Sequence, residues 1–300
     1  MIRKTLPILF ILLSLVSISN AKTWKLYYLG GQSNMDGQGY VSELSAELNA
    51  PVPGVMIFNS QQSLDNAPVN GKGLWSVLQP GNGTDFQSDG VTNQYGKRFG
   101  VELTFARELQ KLEPDANIAI IKYSRGGSSI DTAAAGRFGC WDPDFSKGNG
   151  VNQYDHFLAT LRNALSVQDI DGDGEADTLI PAGIIWMQGE SDACWQEPAQ
   201  MYEQNLKRLM DLIRAALRVD DLPVVIGRIS DSGNDSDGKV WDFGDVVRKA
   251  QADFCASDAC AALVTTTDNY GYSDTWHYDS AGYIDLGRQF ARAVMKLQQQ

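Results

Sequence analysis

The sequence predicts an α/β fold in which a parallel β-sheet is covered by helices on both faces. Short apolar runs alternate along the chain with amphipathic segments of helical period, and this alternation is typical of repeated strand–helix units. Several of the runs are apolar without the alternation of a half-exposed strand, as expected for strands that are buried on both faces.

The elements follow from these patterns in chain order. The predicted strands are "WKLYYL" (24–29), "VMIF" (55–58), "IAIIKY" (118–123), "AGIIWM" (182–187), "PVVIGRI" (223–229) and "AALVTTT" (261–267). The predicted helices are "GVELTFARELQKL", "YDHFLATLRNALSV", "PAQMYEQNLKRLMDLIRAAL", "FGDVVRKAQADF" and "SAGYIDLGRQFARAVMKL". The polar stretch 59–97 is too long for a plain connection, and we expect it to form the rim of a functional site.

Residues 1–21 predict a secretory signal peptide. Arg3 and Lys4 precede an apolar stretch, and small residues flank the expected cleavage point between Ala21 and Lys22. The apolar stretch is too short for a stable membrane anchor, which is the alternative interpretation. We therefore expect residues 22–300 to form one domain of a secreted or periplasmic protein.

The charge balance excludes two classes of partner. The chain carries 25 Lys and Arg against 37 Asp and Glu, for a net charge of −12, and loss of Arg3 and Lys4 with the signal peptide makes it −14. An acidic surface repels nucleic acids and anionic membranes, so neither is an expected partner.

The four cysteines can pair in three ways in an oxidising compartment. Cys255 and Cys260 are five residues apart, which favours one small loop and leaves Cys140 to pair with Cys194. The alternative is that the thiols are free and buried.

Candidate catalytic residues follow the predicted strands, where ligands gather in a parallel sheet. They are Ser33 in "GGQSNMDG", Gly126 and Gly127 in "SRGGSSI", Gln188 and Glu190 in "WMQGESDA", and Asp274 and His277 in "DTWHYD". Acyl transfer needs these groups: a hydroxyl, a base, an orienting carboxylate and donors for the oxyanion. The second histidine, His156, lies in a predicted helix, where we expect a surface or packing role.

The blocks "GGQSNMDG", "SRGGSSI", "WMQGESDA" and "DTWHYDSAGY" resemble, in order and spacing, those of SGNH-hydrolase esterases of the sialate O-acetylesterase-like group. This group includes the acetylxylan esterases of carbohydrate esterase family six. The resemblance spans residues 24–297. It implies a flavodoxin-like three-layer α/β/α sandwich and an acetylesterase acting on an acetylated oligosaccharide or polysaccharide, without a catalytic cofactor.

By this resemblance, Ser33 would be the nucleophile, His277 the base and Asp274 its orienting acid. The oxyanion donors would be the N–H groups of Ser33 and Gly127 and the side-chain amide of Gln188. Glu190 would support the site from behind these residues. Two rival functions stay open: an esterase or lipase on non-carbohydrate esters, and a non-catalytic carbohydrate-binding protein.

The stretch "DIDGDGEADTL" resembles the opening of an EF-hand calcium loop. The predicted ligands of a structural calcium ion are Asp169, Asp171, Asp173, Glu175 and Asp177. Position twelve is Ile180, where an EF-hand has glutamate, so a solvated acidic turn is the alternative.

Aromatic residues crowd the predicted catalytic loops, and flat rings stack on sugar faces. These residues are Trp141, Trp186, Trp195, Trp276 and Tyr278, with core packing as the alternative role for each. Arg125 could meet an acidic sugar or form a structural salt bridge.

Overall fold

The structure, a computed structural model, describes residues 21–62, 64–146 and 150–299. Its strands in chain order are β1 (Thr23–Gly31), β2 (Gly39–Tyr40), β3 (Val55–Asn59), β4 (Trp75–Val77), β5 (Gln87–Ser88), β6 (Asn93–Gln94), β7 (Arg98–Phe99), β8 (Asn117–Ser124), β9 (Thr178–Met187), β10 (Val224–Gly227) and β11 (Ala261–Val264). Its α-helices are α1 (Ser33–Asp36), α2 (Glu102–Leu112), α3 (Gln153–Leu165), α4 (Gln196–Leu217), α5 (Gly244–Ser257) and α6 (Ser280–Leu297).

Seven strands form the central sheet in the order β11-β10-β9-β1-β8-β3-β4. All neighbouring pairs are parallel except β3 and β4, which pair antiparallel at one edge. The predicted α/β sandwich is thereby confirmed, and β4, which lies within the polar stretch 59–97, was missed. Because β1 lies between β8 and β9, the loops that follow these three strands meet at one edge of the sheet.

Neighbouring tyrosines of β1 show how the sheet is covered. The Tyr27 ring packs edge-on against Phe105 of α2, with centroids 5.3 Å apart. The Tyr28 ring packs against Phe157 of α3 at 4.6 Å. Successive side chains of a strand point to opposite faces, so α2 and α3 lie on opposite sides of the sheet. The core therefore consists of two apolar layers, one on each face of the central strands.

The predicted signal peptide, apart from Ala21, lies outside the described residues. Within the described ranges, no helix combines the length and apolarity needed to cross a bilayer.

Candidate active site

A cavity of about 560 Å³ opens at the carboxyl edge of the central strands. It is lined by side chains from the loops after β1, β8 and β9, from the polar stretch 59–97 and from the segment before α6: Gln32, Ser33, Asp36, Gln38, Gln62, Thr84, Arg125, Gly126, Gly127, Phe138, Ser191, Cys194, Trp241, Trp276 and His277. The expectation that the polar stretch contributes to the rim is confirmed by Gln62 and Thr84.

Ser33 is the first residue of α1, directly after β1. The turn is tight: Gly31 has φ +145°, and a Cβ there would collide with the Met187 carbonyl oxygen of β9. The N–H of Gln32 donates to that same carbonyl at 2.9 Å. Glycine is therefore required for β1 and β9 to approach closely enough to turn the chain and present Ser33 at the cavity.

His277 lines the cavity and pairs with Asp274 on the same loop. The two lie 2.8 Å apart, from His277 Nδ1 to Asp274 Oδ2. The other oxygen, Oδ1, accepts the backbone N–H groups of Trp276 and His277 at 2.7 and 2.8 Å. An Nδ1–H that donates to Asp274 leaves Nε2 as the proton-accepting nitrogen.

Opposing effects act on the Asp274 carboxyl. Partial burial works to raise the pKa of Asp274, but the hydrogen bonds from the His277 ring and from two backbone N–H groups outweigh it, so the pKa is lowered from its usual value. Asp274 therefore stays ionised and holds the imidazole in one orientation.

Two backbone N–H groups at the cavity have no acceptor among the described residues. They belong to Ser33, at the start of α1, and to Gly127, in the turn after β8. Gly127 has φ +73°, and a Cβ there would collide with the Phe138 ring. The turn that presents its N–H to the cavity therefore requires glycine.

The prediction that the Gln188 amide donates to an oxyanion is wrong in this structure. Gln188 is fully buried and does not line the cavity. Its Nε2 donates to Asp192 Oδ2 at 2.6 Å and to the Ser128 carbonyl at 3.2 Å, and its Oε1 accepts from the Tyr202 hydroxyl. Asp192 also accepts the N–H of Ile130, so the Gln188–Asp192 pair joins the loops after β8 and β9.

A residue with an amide side chain that the sequence analysis missed, Gln32, does line the cavity. Gln32 precedes Ser33 and is 4% exposed. Its Oε1 accepts the N–H groups of Gly189 and Ser191, both at 3.3 Å. With the oxygen fixed in this way, Nε2 is available as a donor beside Ser33. In the sequence, the one signal for Gln32 is its position next to Ser33, because a sequence does not show where a side chain points.

Glu190 is buried next to the turn that carries Ser33. It is 2% exposed, and its Oε1 accepts from Asn34 Nδ2 at 2.8 Å. Burial raises the pKa of Glu190, and its Oε2 has no hydrogen-bond partner among residues 21–62, 64–146 and 150–299. Asn34 also accepts from the Tyr283 hydroxyl at 2.7 Å and donates to the Trp276 carbonyl at 3.3 Å. Glu190 and Asn34 thus connect the turn that carries Ser33 to the His277 loop.

A second missed residue is Lys122 of β8, which is 1% exposed. Its Nζ donates to the carbonyls of Asp36 and Asn82 at 2.9 and 2.8 Å and pairs with Glu102 Oε2 at 2.8 Å. A buried charge with three partners fixes the end of α1 and the rim loop in one arrangement.

The family model described as "Carbohydrate esterase, sialic acid-specific acetylesterase" matches residues 23–296. The chain belongs to this family. The resemblance predicted from the four sequence blocks is thereby confirmed.

Individual relatives agree with this assignment. A probable carbohydrate esterase of Arabidopsis thaliana is 29% identical over 115 residues, which cover 37% of this chain and 39% of the relative. The match therefore spans about two fifths of that curated relative's length. An X-ray structure of a protein from Arabidopsis thaliana has a TM-score of 0.62 at 20% identity, over 92% of this chain and 99% of that one. A carbohydrate acetylesterase from Xanthomonas citri has a TM-score of 0.60 at 18% identity, over 91% and 56%. At these identities, the two structures show a shared fold.

The predicted disulfides Cys140–Cys194 and Cys255–Cys260 are absent from this carbohydrate esterase, in which all four cysteines are free. Cys140 Sγ accepts the Asp142 N–H at 3.3 Å, whereas Cys194 Sγ lies 3.4 Å from the Glu190 carbonyl. Burial, with neighbouring carboxylates, raises the pKa of Cys194 to about 11. Cys194 therefore lines the cavity as a neutral thiol and not as a nucleophile.

The aromatic residues divide between core and cavity. Trp141, Trp186 and Tyr278 are almost completely buried and belong to the core. Trp195 and Trp276 are 59% and 52% exposed, and only Trp276 of these two lines the cavity.

Arg125 forms the structural salt bridge that was one of its two predicted roles. Its guanidinium pairs with Asp65 at 2.7 Å and donates to Gln62 Oε1 at 3.1 Å.

The acidic loop brings together three of its five predicted calcium ligands. Asp169, Asp171 and Asp177 each offer an oxygen within 4.8 Å of the others. Asp173 and Glu175 are outside this cluster. Carboxylate oxygens are the ligands that calcium prefers, so the donor chemistry fits and calcium binding stays a prediction.

We expect calcium to raise the melting temperature of the protein. The ammonium of Lys22 pairs with Asp171 and Asp173, so calcium has to displace this side chain. At a calcium concentration 100-fold above Kd, the increase should be about 5 °C or more. Thermal melts with calcium and with EDTA measure it, and Asp171→Asn should remove the response. Identical wild-type melts would contradict calcium binding.

His156 has the predicted packing role. It is fully buried in α3 and stacks on the Tyr123 ring, with centroids 4.2 Å apart. Burial lowers the pKa of His156 to about 4, against the smaller opposing effect of a hydrogen bond with the Gln61 backbone. The folded protein therefore holds His156 neutral at pH values where the unfolded chain protonates it.

This difference predicts a loss of stability in acid. The pKa of His156 is lower in the folded protein than in the unfolded chain, so the unfolded chain binds the proton more readily. The contribution of His156 to the free energy of unfolding is therefore complete above about pH 6.5 and is lost as the pH falls to about 4. The total loss is about 3 kcal/mol. Urea unfolding at several pH values measures the free energy of unfolding. His156→Gln should have a shallower slope in this range, and parallel curves for the two proteins would contradict the assignment.

Proposed function

We propose that the protein is a secreted carbohydrate O-acetylesterase that uses Ser33, His277 and Asp274 in a two-step acyl transfer. One observation carries the proposal: Ser33 and the Asp274-paired His277 line one cavity, together with two backbone N–H groups that have no acceptor in the part of the chain that the structure describes. Membership of a carbohydrate esterase family supports the substrate class.

In the first step, Ser33 Oγ attacks the acetyl carbonyl carbon while His277 Nε2 takes the hydroxyl proton. The carbonyl oxygen becomes an oxyanion that accepts hydrogen bonds from the N–H groups of Ser33 and Gly127. The Gln32 amide supplies the third donor in place of Gln188. Collapse of the tetrahedral intermediate transfers the proton from His277 to the sugar oxygen, which leaves as an alcohol.

In the second step, water attacks the acetyl-serine. His277 now takes a proton from the water and returns one to Ser33, and acetate is released. The ionised Asp274 stabilises the imidazolium that forms in both steps.

Acetate release from a panel of acetylated glycans tests the proposal. We expect acetate from at least one glycan and a higher kcat/KM for 4-nitrophenyl acetate than for the long-chain palmitate ester. Preference for the palmitate ester would favour a lipase, and no turnover of any ester would favour a non-catalytic binding protein.

Export is part of this proposal and is supported by the signal-peptide pattern of residues 1–21. Sequencing the N-terminus of protein recovered outside the cytoplasm should give Lys22 as the first residue.

A further inference from the structure

A second cavity of about 200 Å³ adjoins the catalytic one. Trp241 lines both cavities and is the lining residue that they share. The remaining walls of the second cavity include Ser230, Asp231, Lys239 and Arg248. An aromatic face bordered by hydrogen-bonding groups is the composition of a small-molecule binding site, and it suits a sugar ring with its hydroxyl groups.

Trp241 is held in place by its own loop. The Asp231 carboxylate accepts the N–H groups of Gly233, Val240 and Trp241 at 2.8 to 3.1 Å. The Trp241 ring is partly buried against the core. Its indole N–H has no hydrogen-bond acceptor within the described residues, so this donor remains available to a ligand. A wall fixed in this way can bind a sugar without a large ordering cost.

Trp276 is a second tryptophan of the catalytic cavity. It is 52% exposed and lines the catalytic cavity. Its ring lies edge-on to the His277 ring, with centroids 6.3 Å apart. The sugar that carries the acetyl group would therefore meet Trp276, and the next sugar of a chain would meet Trp241.

The charges of the second cavity are balanced. Lys239 pairs with Asp245 at 3.6 Å, and Arg248 pairs with Asp268 at 3.1 Å. Asp231 adds a further carboxylate. No surplus of positive charge is available there to attract the carboxylate of an acidic sugar, so a neutral sugar fits this cavity better.

We propose that the cavity beyond Trp241 is a second sugar subsite, and that the substrate is an acetylated chain of two or more neutral sugars. This inference rests on the proposed function, since it assumes that Ser33 deacetylates a carbohydrate. It adds the length and charge of that carbohydrate.

The experiment compares kcat/KM for acetate release from acetylated monosaccharides and tetrasaccharides. The panel contains xylose, mannose and N-acetylglucosamine backbones, with 9-O-acetyl-N-acetylneuraminic acid as the acidic sugar and 4-nitrophenyl acetate as the reference ester. We expect at least one tetrasaccharide to exceed its monosaccharide by about tenfold, which corresponds to about 1.4 kcal/mol.

Trp241→Ala should remove this preference for the tetrasaccharide, and Trp241→Phe should retain most of it. The Phe variant also covers the case in which Trp241→Ala is poorly folded. Trp195→Ala is the matched control, because Trp195 is an exposed tryptophan that lines neither cavity. It should leave the preference unchanged.

Three outcomes would overturn the inference while the proposed function stands. The first is an equal kcat/KM for the monosaccharide and the tetrasaccharide of every neutral backbone. The second is a loss of kcat/KM in Trp241→Ala that is equal for both substrate lengths. The third is a higher kcat/KM for the acetylated sialic acid than for all neutral chains. Turnover of 4-nitrophenyl acetate without turnover of any sugar would instead refute the proposed function, and the inference with it.

Discussion

Ser33→Ala should lower kcat for acetate release by about 10⁶-fold, because in the proposed mechanism it is the Ser33 hydroxyl oxygen that forms the acyl-enzyme. The Ser33 hydroxyl has no hydrogen bond within the described residues, so its removal breaks no contact of the fold. The backbone carbonyl of Ser33, which accepts from the Gly37 N–H, is unchanged in the variant. The fold should therefore be retained. Initial rates with 4-nitrophenyl acetate measure the loss.

The melting temperature of Ser33→Ala serves as the control, and it should match that of the wild type within about 2 °C, as expected for a change of less than 0.5 kcal/mol. Residual activity above about 1% of wild type in a contaminant-free preparation would identify another nucleophile. Because Cys194 also lines the cavity, Cys194→Ala would be the next variant to measure.

Asp274→Asn should lower kcat by about 10⁴-fold, because the hydrogen bonds around residue 274 would hold His277 in the wrong tautomer. Oδ1 accepts two backbone N–H groups, so an asparagine would keep its oxygen there and turn its NH₂ group toward His277 Nδ1. The imidazole would then accept at Nδ1 and carry its proton on Nε2. In that tautomer it cannot take the proton of Ser33.

Glu190→Gln is the matched comparison, because it also replaces a carboxylate near His277 by its amide. A glutamine keeps an oxygen for Asn34 Nδ2, so the link between the two loops survives and the loss in kcat should be less than about tenfold, as for a residue outside the reacting groups. If Glu190→Gln were the more damaging variant, Glu190 and not Asp274 would be the acid that orients His277.

The sequence predicts the sheet well, because its central strands are buried on both faces and therefore apolar along their whole length. The strands β1, β8 and β9 extend the predicted runs by a few residues. The short strand β4 escaped prediction, since three residues, one of them exposed, carry no periodic signal. The strand β4 pairs with Met56 and Phe58 of β3, which are distant in sequence. The local sequence of β4 carries no information about such a partner.

The sequence predicts the candidate site residues whose place at the cavity follows from their position in the fold. It does not predict those whose place depends on the direction of the side chain. Ser33, Gly127 and His277 reach the cavity because each follows a strand of a parallel sheet or precedes the last helix. Gln188 also follows a strand, yet its amide turns inward because Asp192 and Tyr202 compete for it. Gln32 lines the cavity instead; Gly189 and Ser191 hold its oxygen, and its Nε2 has no acceptor among the described residues.

The Asn34 side chain has a consequence for how activity arises during folding. It joins the turn after the first strand to the Trp276 carbonyl and to the Tyr283 hydroxyl of the final helix. The candidate site is consequently assembled from the two ends of the domain, and a chain that lacks α6 loses the Tyr283 hydroxyl that holds the Asn34 side chain between Ser33 and the His277 segment. Recovery of esterase activity after dilution from denaturant should therefore lag behind the recovery of helical signal and report only completely refolded molecules.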